Sequence, residues 1–420
     1  MRPKIIMLAG LGFGDEGKGA TTDYLVRRHN AKTVVRYNGG AQAAHNVVTA
    51  DGRHHTYSQF GSASFVPGVK TFLSRFMVVN PFSLIKELRD LENLGVNDLL
   101  NRLFIDQQSL ITTPYHIAAN RLREWLRQKN RHGSCGMGVG ETITDHKHFG
   151  KLAVFMDDLA KTKLLTKKLE ALRKRKLDSF DSAMASLVTG SEAAQWLKFL
   201  LDQSAVSEMV NRYVDFASHI KTGNSQMLSQ FLDEGPVVFE GAQGVLLDSV
   251  HGFLPHVTQS DTTFRNATSL LTEAGCPSKI LKVGVLRSYA TRHGAGPLIT
   301  EDGILQTKLS EPHNSFGTWQ GSFRFGYFDT VSTRYALEVL GGVDEIHLTC
   351  CDQLGSLPAL KICTEHKLGQ KQITPIYQIK GGIPEYLETI ARLVNVPITY
   401  AFGPTAEQRL RTVCGPIHLE

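Results

Sequence analysis

The chain has 420 residues, of which 42% are apolar and 20% charged, and its formal net charge is +6. This composition is ordinary for a globular protein and excludes a fibrous or low-complexity chain. The length allows two or three domains, or one large α/β unit with insertions. No apolar run reaches the ~18 residues of a membrane-spanning helix, and the run Ile5–Ala9 is too short for a signal peptide. We therefore expect a cytoplasmic protein without a membrane partner.

Much of the positive charge lies in one stretch, from Lys161 to Lys176. Its leucines recur at helical spacing, and no aromatic residues interleave the basic ones. A solvated helix face is therefore favoured over a nucleic-acid surface. The six cysteines form no C-x-x-C pair, and we interpret them as reduced thiols, in keeping with a cytoplasmic location.

Short apolar runs alternate with helical patterns along the chain. Strands are predicted at Lys4–Ala9, Thr33–Tyr37, Phe76–Val79, Val237–Glu240, Leu281–Tyr289, Glu345–Thr349 and Pro397–Ala401. Helices are predicted at Thr21–Arg28, Ser83–Asn93, Thr113–Gln128, Thr162–Leu177, Gln195–Ser218, Val331–Leu340 and Pro384–Asn395. This alternation predicts an α/β fold with a large, mainly parallel central sheet flanked by helices. We expect one domain over residues 1–420, with a helical insertion at about 157–232.

The most informative segment is the glycine-rich turn that joins the first strand to the first helix. Gly12 to Lys18 fits G-x-x-x-x-G-K, the spacing of a nucleotide phosphate loop, and such a turn offers backbone N–H groups to phosphate. Gly19 stands where a Ser or Thr would hold magnesium, and the loop carries Asp15 and Glu16 instead. An acid in a phosphate loop is unfavourable unless a cation or a reacting proton lies beside it. We therefore predict metal binding or acid–base chemistry at Asp15; the alternative is a tight turn with solvated acids at a helix N-terminus.

Further polar motifs follow the other predicted strands, where ligands bind in open α/β sheets. After the second strand, Gly39 and Gly40 precede Gln42 and His45; this histidine is either a general acid or electrophile, or a structural residue at a turn. Gln243 lies between glycines in Phe239 to Gly244, a setting that suits a planar heterocycle or a ribose.

Three more groups are candidates for ligand contacts. Thr258, Thr262 and Thr263 offer hydroxyls of the kind that hold phosphate monoesters. Arg292 is either a phosphate or carboxylate clamp or the partner of a core carboxylate. Asp352 ends a strand, where it either accepts from the N1–H and N2 amine of guanine or caps a helix.

Taken together, these motifs resemble those of the adenylosuccinate synthetase family. Six segments are similar to motifs of that family. They are Phe13 to Ala20 (W-G-D-E-G-K-G-K in the family), Arg36 to His45 (R-Y-x-G-G-x-N-A-G-H), Phe239 to Asp248 (F-E-G-A-Q-G-x-L-L-D), Tyr289 to Pro297 (Y-S-T-R-V-G-A-G-P), Leu348 to Asp352 (L-T-K-x-D) and Ala401 to Pro404 (S-x-G-P). They occur in the same order over most of the chain. The resemblance implies the family's phosphate-loop NTPase-like fold and a homodimer.

The resemblance also implies an activity: a GTP-dependent ligase that phosphorylates the 6-oxo group of IMP and joins L-aspartate to it. Asp15 would be the base and, with the carbonyl of Ala44, a ligand of Mg²⁺; His45 would stabilise phosphoryl transfer, and Lys18 would serve the phosphates. The implied GTP contacts are Gly14, Glu16, Gly17, Gly19, Asp352, Gly403 and Pro404. The implied IMP contacts are Asp15, Gln42, Cys135, Gln243, Thr258 and His293, and the implied amino-acid contacts are Thr318 and Arg324.

Several positions depart from the family pattern. Gln42 replaces an IMP-contacting Asn, Cys135 replaces a phosphate-contacting Thr, and Lys147 is the nearest cation to where the family lends an Arg to the partner subunit. The largest change is the amino-acid loop, G-T-T-T-G-R-x-R-R-x-G-W in the family, which is one residue shorter here (Gly317 to Tyr327) and lacks two hydroxyls and two arginines. Losing a bidentate carboxylate partner costs about 1.5–3 kcal/mol.

Three functional hypotheses remain from these residues. The first is a divergent adenylosuccinate synthetase. The second is a paralogue that uses the same activation with another amine donor or purine nucleotide in a specialised pathway. The third is a non-catalytic nucleotide-binding regulator, against which the retained Asp15, Lys18 and His45 argue.

Overall fold

A ten-stranded sheet forms the centre of the protein in this computed structural model, which describes residues 4–128, 131–180, 191–276, 279–311, 317–370 and 372–412. The strands are β1 (Ile5–Gly10), β2 (Thr33–Arg36), β3 (His45–Val48), β4 (His54–Tyr57), β5 (Lys70–Leu73), β6 (Leu103–Asp106), β7 (Lys221–Gly223), β8 (Val237–Gly244), β9 (Ile280–Arg287), β10 (Ala290–His293), β11 (Phe323–Gly326), β12 (Phe328–Asp329), β13 (Glu345–Thr349), β14 (Leu360–Leu368), β15 (Ile373–Lys380), β16 (Ile398–Ala401) and β17 (Arg409–Thr412). The helices are α1 (Lys18–His29), α2 (Pro81–Asn93), α3 (Pro114–Arg127), α4 (Val139–Phe149), α5 (Thr162–Asp178), α6 (Glu192–Leu201), α7 (Ala205–His219), α8 (Met227–Glu234), α9 (Arg265–Glu273), α10 (Leu305–Lys308), α11 (Thr330–Val339) and α12 (Ile383–Val394).

The central sheet has the strand order β17-β16-β13-β9-β1-β8-β2-β5-β6-β7. Every neighbouring pair in it is parallel except β16 and β17, so the predicted mainly parallel α/β sheet is confirmed. Strand β1 lies between β8 and β9, with Ile5 opposite Val237 on one side and Ile280 on the other. All six of its residues are buried, as expected of a strand covered by helices on both faces.

Most predicted elements agree with the structure to within a few residues, but two are wrong. The residues predicted as a strand at Phe76–Val79 follow a turn after β5, and only Val78 and Val79 form single bridges, with Gly40 and Ile111. The true strand was hidden because it begins with polar Lys70 and Thr71. The predicted helix Gln195–Ser218 is two helices, α6 and α7, because the Asp202 carboxylate accepts from the backbone N–H and hydroxyl of Ser204 and ends the first.

The segment predicted as a helical insertion contains α5 to α8 and also strand β7, which pairs with β6 at the edge of the central sheet. Its helices bury Leu165, Leu169 and Leu172 in a shared core. Most of its basic side chains lie at the surface, as predicted, but Lys176 is buried and contacts Glu141 and Asp145 at 2.7 Å each.

Five cysteines of the described part are free thiols, and Cys414 lies outside it. None of the described helices combines the length and apolar character needed to cross a membrane.

Candidate active site

Six adjacent strands, β16, β13, β9, β1, β8 and β2, direct their carboxyl ends to one edge of the sheet. The polar motifs singled out in the sequence follow these strands, where open parallel sheets bind ligands. Two cavities lie there. We call the first the loop cavity, since the glycine turn after β1 forms one wall, and the second the amide cavity, since Gln42 and Gln243 line it.

The glycine turn is organised around the buried Glu16 side chain. Its carboxylate accepts the backbone N–H groups of Gly12 at 3.0 Å and Gly14 at 2.6 Å. Lys18 is also buried, and its ammonium group donates to the same carboxylate at 2.7 Å and to the Gly14 carbonyl at 2.5 Å. Glu16 therefore shapes the turn from inside and does not line the loop cavity, unlike the other residues predicted to contact GTP.

Gly19 packs directly against the segment that carries His45. A Cβ atom at Gly19 would lie 2.8 Å from the backbone carbonyl carbon of His45 and 2.8 Å from the Asn46 oxygen. No side chain fits there without moving the backbone, which explains why the Ser or Thr of an ordinary phosphate loop is absent. The contact also fixes the position of His45 against the first turn of α1.

His45 is held by a buried carboxylate. Its Nδ1 lies 2.6 Å from the Oε1 of Glu240, at the end of β8, and Ser62 donates its backbone N–H and hydroxyl to the same carboxylate. Burial lowers the pKa of His45 to about 4, against the opposing effect of Glu240. In the free protein the imidazole is therefore neutral at physiological pH, with Nδ1–H donating to Glu240 and Nε2 left for the cavities that His45 lines.

Asp15 lies where the two cavities meet. Burial raises the pKa of its carboxyl group, although the Arg287 guanidinium opposes this effect. Arg287 donates to the Asp15 backbone carbonyl and to Glu311. The carboxylate oxygens of Asp15 accept no hydrogen bond from the residues that the structure describes, so they remain available to a ligand.

The loop cavity has a volume of about 290 Å³. Of the residues predicted to contact GTP, Gly14, Gly17, Gly19, Asp352, Gly403 and Pro404 line it, together with Lys18. Asp352 is exposed to the cavity, at the start of the short helix Cys351–Ser356. The lining thus combines a glycine turn and a lysine with the carboxylate of Asp352.

The amide cavity has a volume of about 240 Å³ and is lined by all six residues predicted to contact IMP: Asp15, Gln42, Cys135, Gln243, Thr258 and His293. The amide oxygens of Gln42 and Gln243 are buried without a hydrogen-bond partner in the described part of the chain. Gln243 also has a φ of +63°, in the left-handed region. Buried unpaired polar atoms and a strained backbone often mark a ligand site.

The two cavities share Gly14, Asp15, Ala44 and His45. A group bound in one can therefore meet a group bound in the other beside the Asp15 carboxylate and the His45 ring. This arrangement suits transfer of a group between two bound molecules, because both reactants are held next to the same acid–base residues.

The two residues predicted to contact the amino acid are placed differently. The Arg324 guanidinium donates to the carbonyls of Gly294 and Gly296 and to the Glu301 carboxylate, so it braces a turn. Arg324 and Thr318 do not line the amide cavity, whereas Gln320 from the same loop does.

Arg292 is held by backbone carbonyls at the wall of the amide cavity. It donates to the carbonyls of Ala295, Pro297 and His256 at 2.8–3.0 Å. It therefore ties two loops of the amide cavity together, and it has no carboxylate partner among the residues that the structure describes.

Sequence reasoning missed four residues at this edge of the sheet: Glu240, Arg287, His132 and His256. Glu240 lies inside the motif from Phe239 to Asp248. A carboxylate in a strand predicted to be buried was the signal that could have identified it. His132 and His256 line the amide cavity, although the sequence around each gives no local pattern that indicates a ligand.

Comparisons with known proteins show the family to which the chain is similar. The family model described as adenylosuccinate synthetase matches residues 7–381. The adenylosuccinate synthetase of Streptococcus sanguinis is 32% identical, with 96% of this chain and 97% of that protein covered. That of Saccharopolyspora erythraea is 33% identical, with 90% and 84% covered.

Two solved structures share the fold. The fully ligated adenylosuccinate synthetase from Plasmodium falciparum superposes with a TM-score of 0.80 at 21% identity, covering 98% of this chain and 100% of that one. The succinoaminodeoxyadenylate synthetase of cyanophage S-2L, bound to dGMP and to dATP as an energy donor, gives a TM-score of 0.63 at 15% identity, covering 98% and 96%.

Proposed function

This chain belongs to the adenylosuccinate synthetase family of carbon–nitrogen ligases, and we propose that it uses GTP to activate IMP and joins L-aspartate to it, giving adenylosuccinate. The observation that carries this proposal is the junction of the two cavities at Gly14, Asp15, Ala44 and His45. GTP occupies the loop cavity and IMP the amide cavity, so that the γ-phosphoryl group and the 6-oxygen meet at this junction.

Asp15 and His45 carry the first step. The Asp15 carboxylate takes the N1 proton of IMP, and the 6-oxygen attacks the γ-phosphorus as GDP leaves. The raised pKa of the buried Asp15 carboxyl favours this proton transfer. His45, held by Glu240, stabilises the charge on the transferred phosphoryl group. In the second step the amine of aspartate attacks C6 and inorganic phosphate leaves.

The residues at the junction fit Mg²⁺. The ion prefers oxygen ligands and is often held by one or two protein groups together with substrate phosphates. Asp15, whose carboxylate accepts no hydrogen bond from the described part of the chain, and Ala44, with its backbone carbonyl, line both cavities. Bound there, Mg²⁺ would offset the negative charge of the γ-phosphate.

We assign Asp352 as the residue that binds the guanine base of GTP. Its carboxylate accepts from the N1–H and N2 amine of guanine, a donor pair that adenine lacks. The base then lies in the loop cavity beside Asp352. We also propose that the protein is a cytoplasmic homodimer and that residues 1–420 form one unit with an insertion at about 157–232.

The test is direct assay of the purified full-length chain. With IMP, GTP, Mg²⁺ and L-aspartate, we expect phosphate release that depends on all three substrates and equals the adenylosuccinate formed, measured by chromatography. Surface variant Asp90→Asn, in an exposed pair with Lys86, serves as the matched control and keeps wild-type activity. If IMP and GTP bind but no adenylosuccinate forms at any aspartate concentration, the proposal is wrong in its amine donor.

One observation favours a second candidate, a ligase with the same activation and a different amine donor. The loop from Gly317 to Tyr327 has one arginine, and its guanidinium is occupied by Glu301 and two carbonyls. This loop therefore offers a dicarboxylate no free guanidinium, and a less acidic amine suits it better.

Steady-state kinetics with varied aspartate separate the two candidates. We expect the KM for aspartate to lie well above that of an enzyme with the full family loop, or aspartate activity to be absent while another amine supports turnover. Tight, micromolar-range saturation by aspartate would show that the loop changes are compensated elsewhere, and the second candidate would then be rejected.

A further inference from the structure

The amide cavity has few positively charged side chains for the phosphate that the proposed function places there. If a nucleoside monophosphate binds there, as proposed above, its 5′-phosphate carries about −1.5 to −2 charges at neutral pH. Phosphate sites in proteins normally supply arginine, lysine or backbone N–H groups. The described residues that line this cavity include no lysine and a single arginine, Arg292, together with the four histidines His45, His132, His256 and His293.

Three of these five side chains have other roles. All three positions of the Arg292 guanidinium donate to backbone carbonyls. His45 is paired with Glu240 at the junction of the cavities. His293 lies 3.3 Å from the Gly321 carbonyl through its Nε2, on the side of the loop that follows Gly317.

His132 and His256 remain, and the structure brings them together from distant parts of the chain. The Nδ1 of His256 lies 3.4 Å from the backbone carbonyl of His132, which makes Nδ1–H the donor and leaves Nε2 as the second ring nitrogen. In the neutral ring that nitrogen is only an acceptor, so it can donate to a phosphate oxygen only when the ring is protonated.

The neighbouring groups suit a phosphate monoester. Thr258, two residues after His256, accepts from the Ser260 backbone N–H at 3.3 Å, and its own hydroxyl proton is left to donate. Cys135 also lines the cavity, and burial raises the pKa of its thiol, so it adds no negative charge.

We propose that His132 and His256, as imidazolium donors, hold the 5′-phosphate of the acceptor nucleotide together with Thr258. The pair would add positive charge and free donors to a cavity whose one lining arginine, Arg292, already donates to three backbone carbonyls. The proposal rests on the proposed function, because it assumes that the acceptor is a nucleoside monophosphate.

The charges around the pair set the expected pH dependence. His132 faces Arg127, Glu124 and His256, and its pKa is lowered by desolvation and by the Arg127 charge. His256 faces His132 and, through its backbone carbonyl, the Arg292 guanidinium. Both rings thus have cationic neighbours, and the only acid among these groups, Glu124, is paired with Arg127. Phosphate affinity should therefore fall as the pH rises from about 6.5 to about 8.5.

The experiment compares IMP with inosine, which lacks the phosphate, by titration calorimetry on the full-length protein without GTP. The variants are His132→Gln, His256→Gln and the double variant, and the control is His219→Gln, on the exposed end of α7. In the wild type we expect IMP to bind at least about a hundredfold more tightly than inosine near pH 6.5, and this preference to drop several-fold near pH 8.5.

In the double variant we expect the preference for IMP to drop at least about tenfold and to lose most of its pH dependence, while inosine binds as before. His219→Gln should match the wild type. The proposal is overturned if the double variant keeps the wild-type preference, or if its KM for the amino acid rises while IMP binding is unchanged, since the pair would then belong to the amine-donor site. Failure of the wild type to bind IMP at either pH would instead reject the nucleotide assignment itself.

Discussion

His45 and Glu240 form a buried pair in which Nδ1 of the ring lies 2.6 Å from Oε1 of the carboxylate, although 195 positions separate them in the chain. Neither residue is more than 6% exposed, so solvent does not compete for the contact. The carboxylate fixes the ring and its tautomer, and in the proposed mechanism it would stabilise the imidazolium form as a phosphoryl group approaches Nε2.

Glu240→Gln should lower kcat by about tenfold to a hundredfold, because the amide keeps the contact with Nδ1 but loses the charge that favours the protonated ring. The KM values for GTP and IMP should change little. Steady-state kinetics measure both. Ser62→Ala, which removes one hydroxyl donor to the same carboxylate and leaves its charge, is the matched control and should cost only a few-fold. Wild-type kcat in Glu240→Gln would contradict this role.

Asp15→Asn should lower turnover by several orders of magnitude while nucleotide affinity stays within about tenfold, or ~1.4 kcal/mol. The amide cannot take the N1 proton, yet it has nearly the same shape and stays at the junction of the cavities. Turnover is measured by phosphate release and affinity by calorimetry, with Asp90→Asn as the control. Near-wild-type turnover would show that another group is the base.

Asp352→Asn should relax or reverse the preference for GTP over ATP. In the proposed site the carboxylate would accept two hydrogen bonds from guanine, and the amide of the variant replaces one acceptor with a donor. The measurement is the ratio of kcat/KM for the two nucleotides in wild type and variant. A wild type that uses ATP as well as GTP would show that Asp352 does not select the base, and Cys350, which stands where the family has Lys, would then be examined.

The protein should lose stability as the pH falls from 7 to 5, partly through His347. Burial lowers the pKa of this residue to about 4, against its contact with Glu345. The unfolded chain, with a histidine pKa near 6.5, therefore binds more protons than the folded one between these values. The free energy of unfolding should drop by about 2 kcal/mol from this group between pH 6.5 and pH 5.

Urea unfolding at pH 6.5 and at pH 5 measures the free energy of unfolding and tests this expectation. His347→Gln should be less stable than the wild type at pH 7 but lose less stability on acidification, since the titrating group is gone. His219→Gln, an exposed site, should keep the wild-type slope. Equal slopes in wild type and His347→Gln would place the acid sensitivity elsewhere.

The sequence by itself determined the order of the elements and the positions of the polar turns. Apolar periodicity and glycine spacing are local properties, so β1, the glycine turn and α1 could be located from about twenty consecutive residues. The resemblance to the family could also be found from the sequence, because the family's motifs are short and occur in a fixed order along the chain. The two errors also have local causes: β5 begins with polar residues, and the Asp202 cap interrupts a continuous helical pattern.

Only the tertiary structure decided which side chains are available to a ligand. Arg324 and Arg292 look like anion-binding residues in the sequence, but groups from other segments occupy them: Glu301 and Gly296 for Arg324, and the His256 carbonyl for Arg292. The backbone carbonyl of His132 meets the His256 ring across 124 positions. Such contacts depend on how the fold brings distant strands and loops to one edge of the sheet. No local pattern of residues encodes that arrangement.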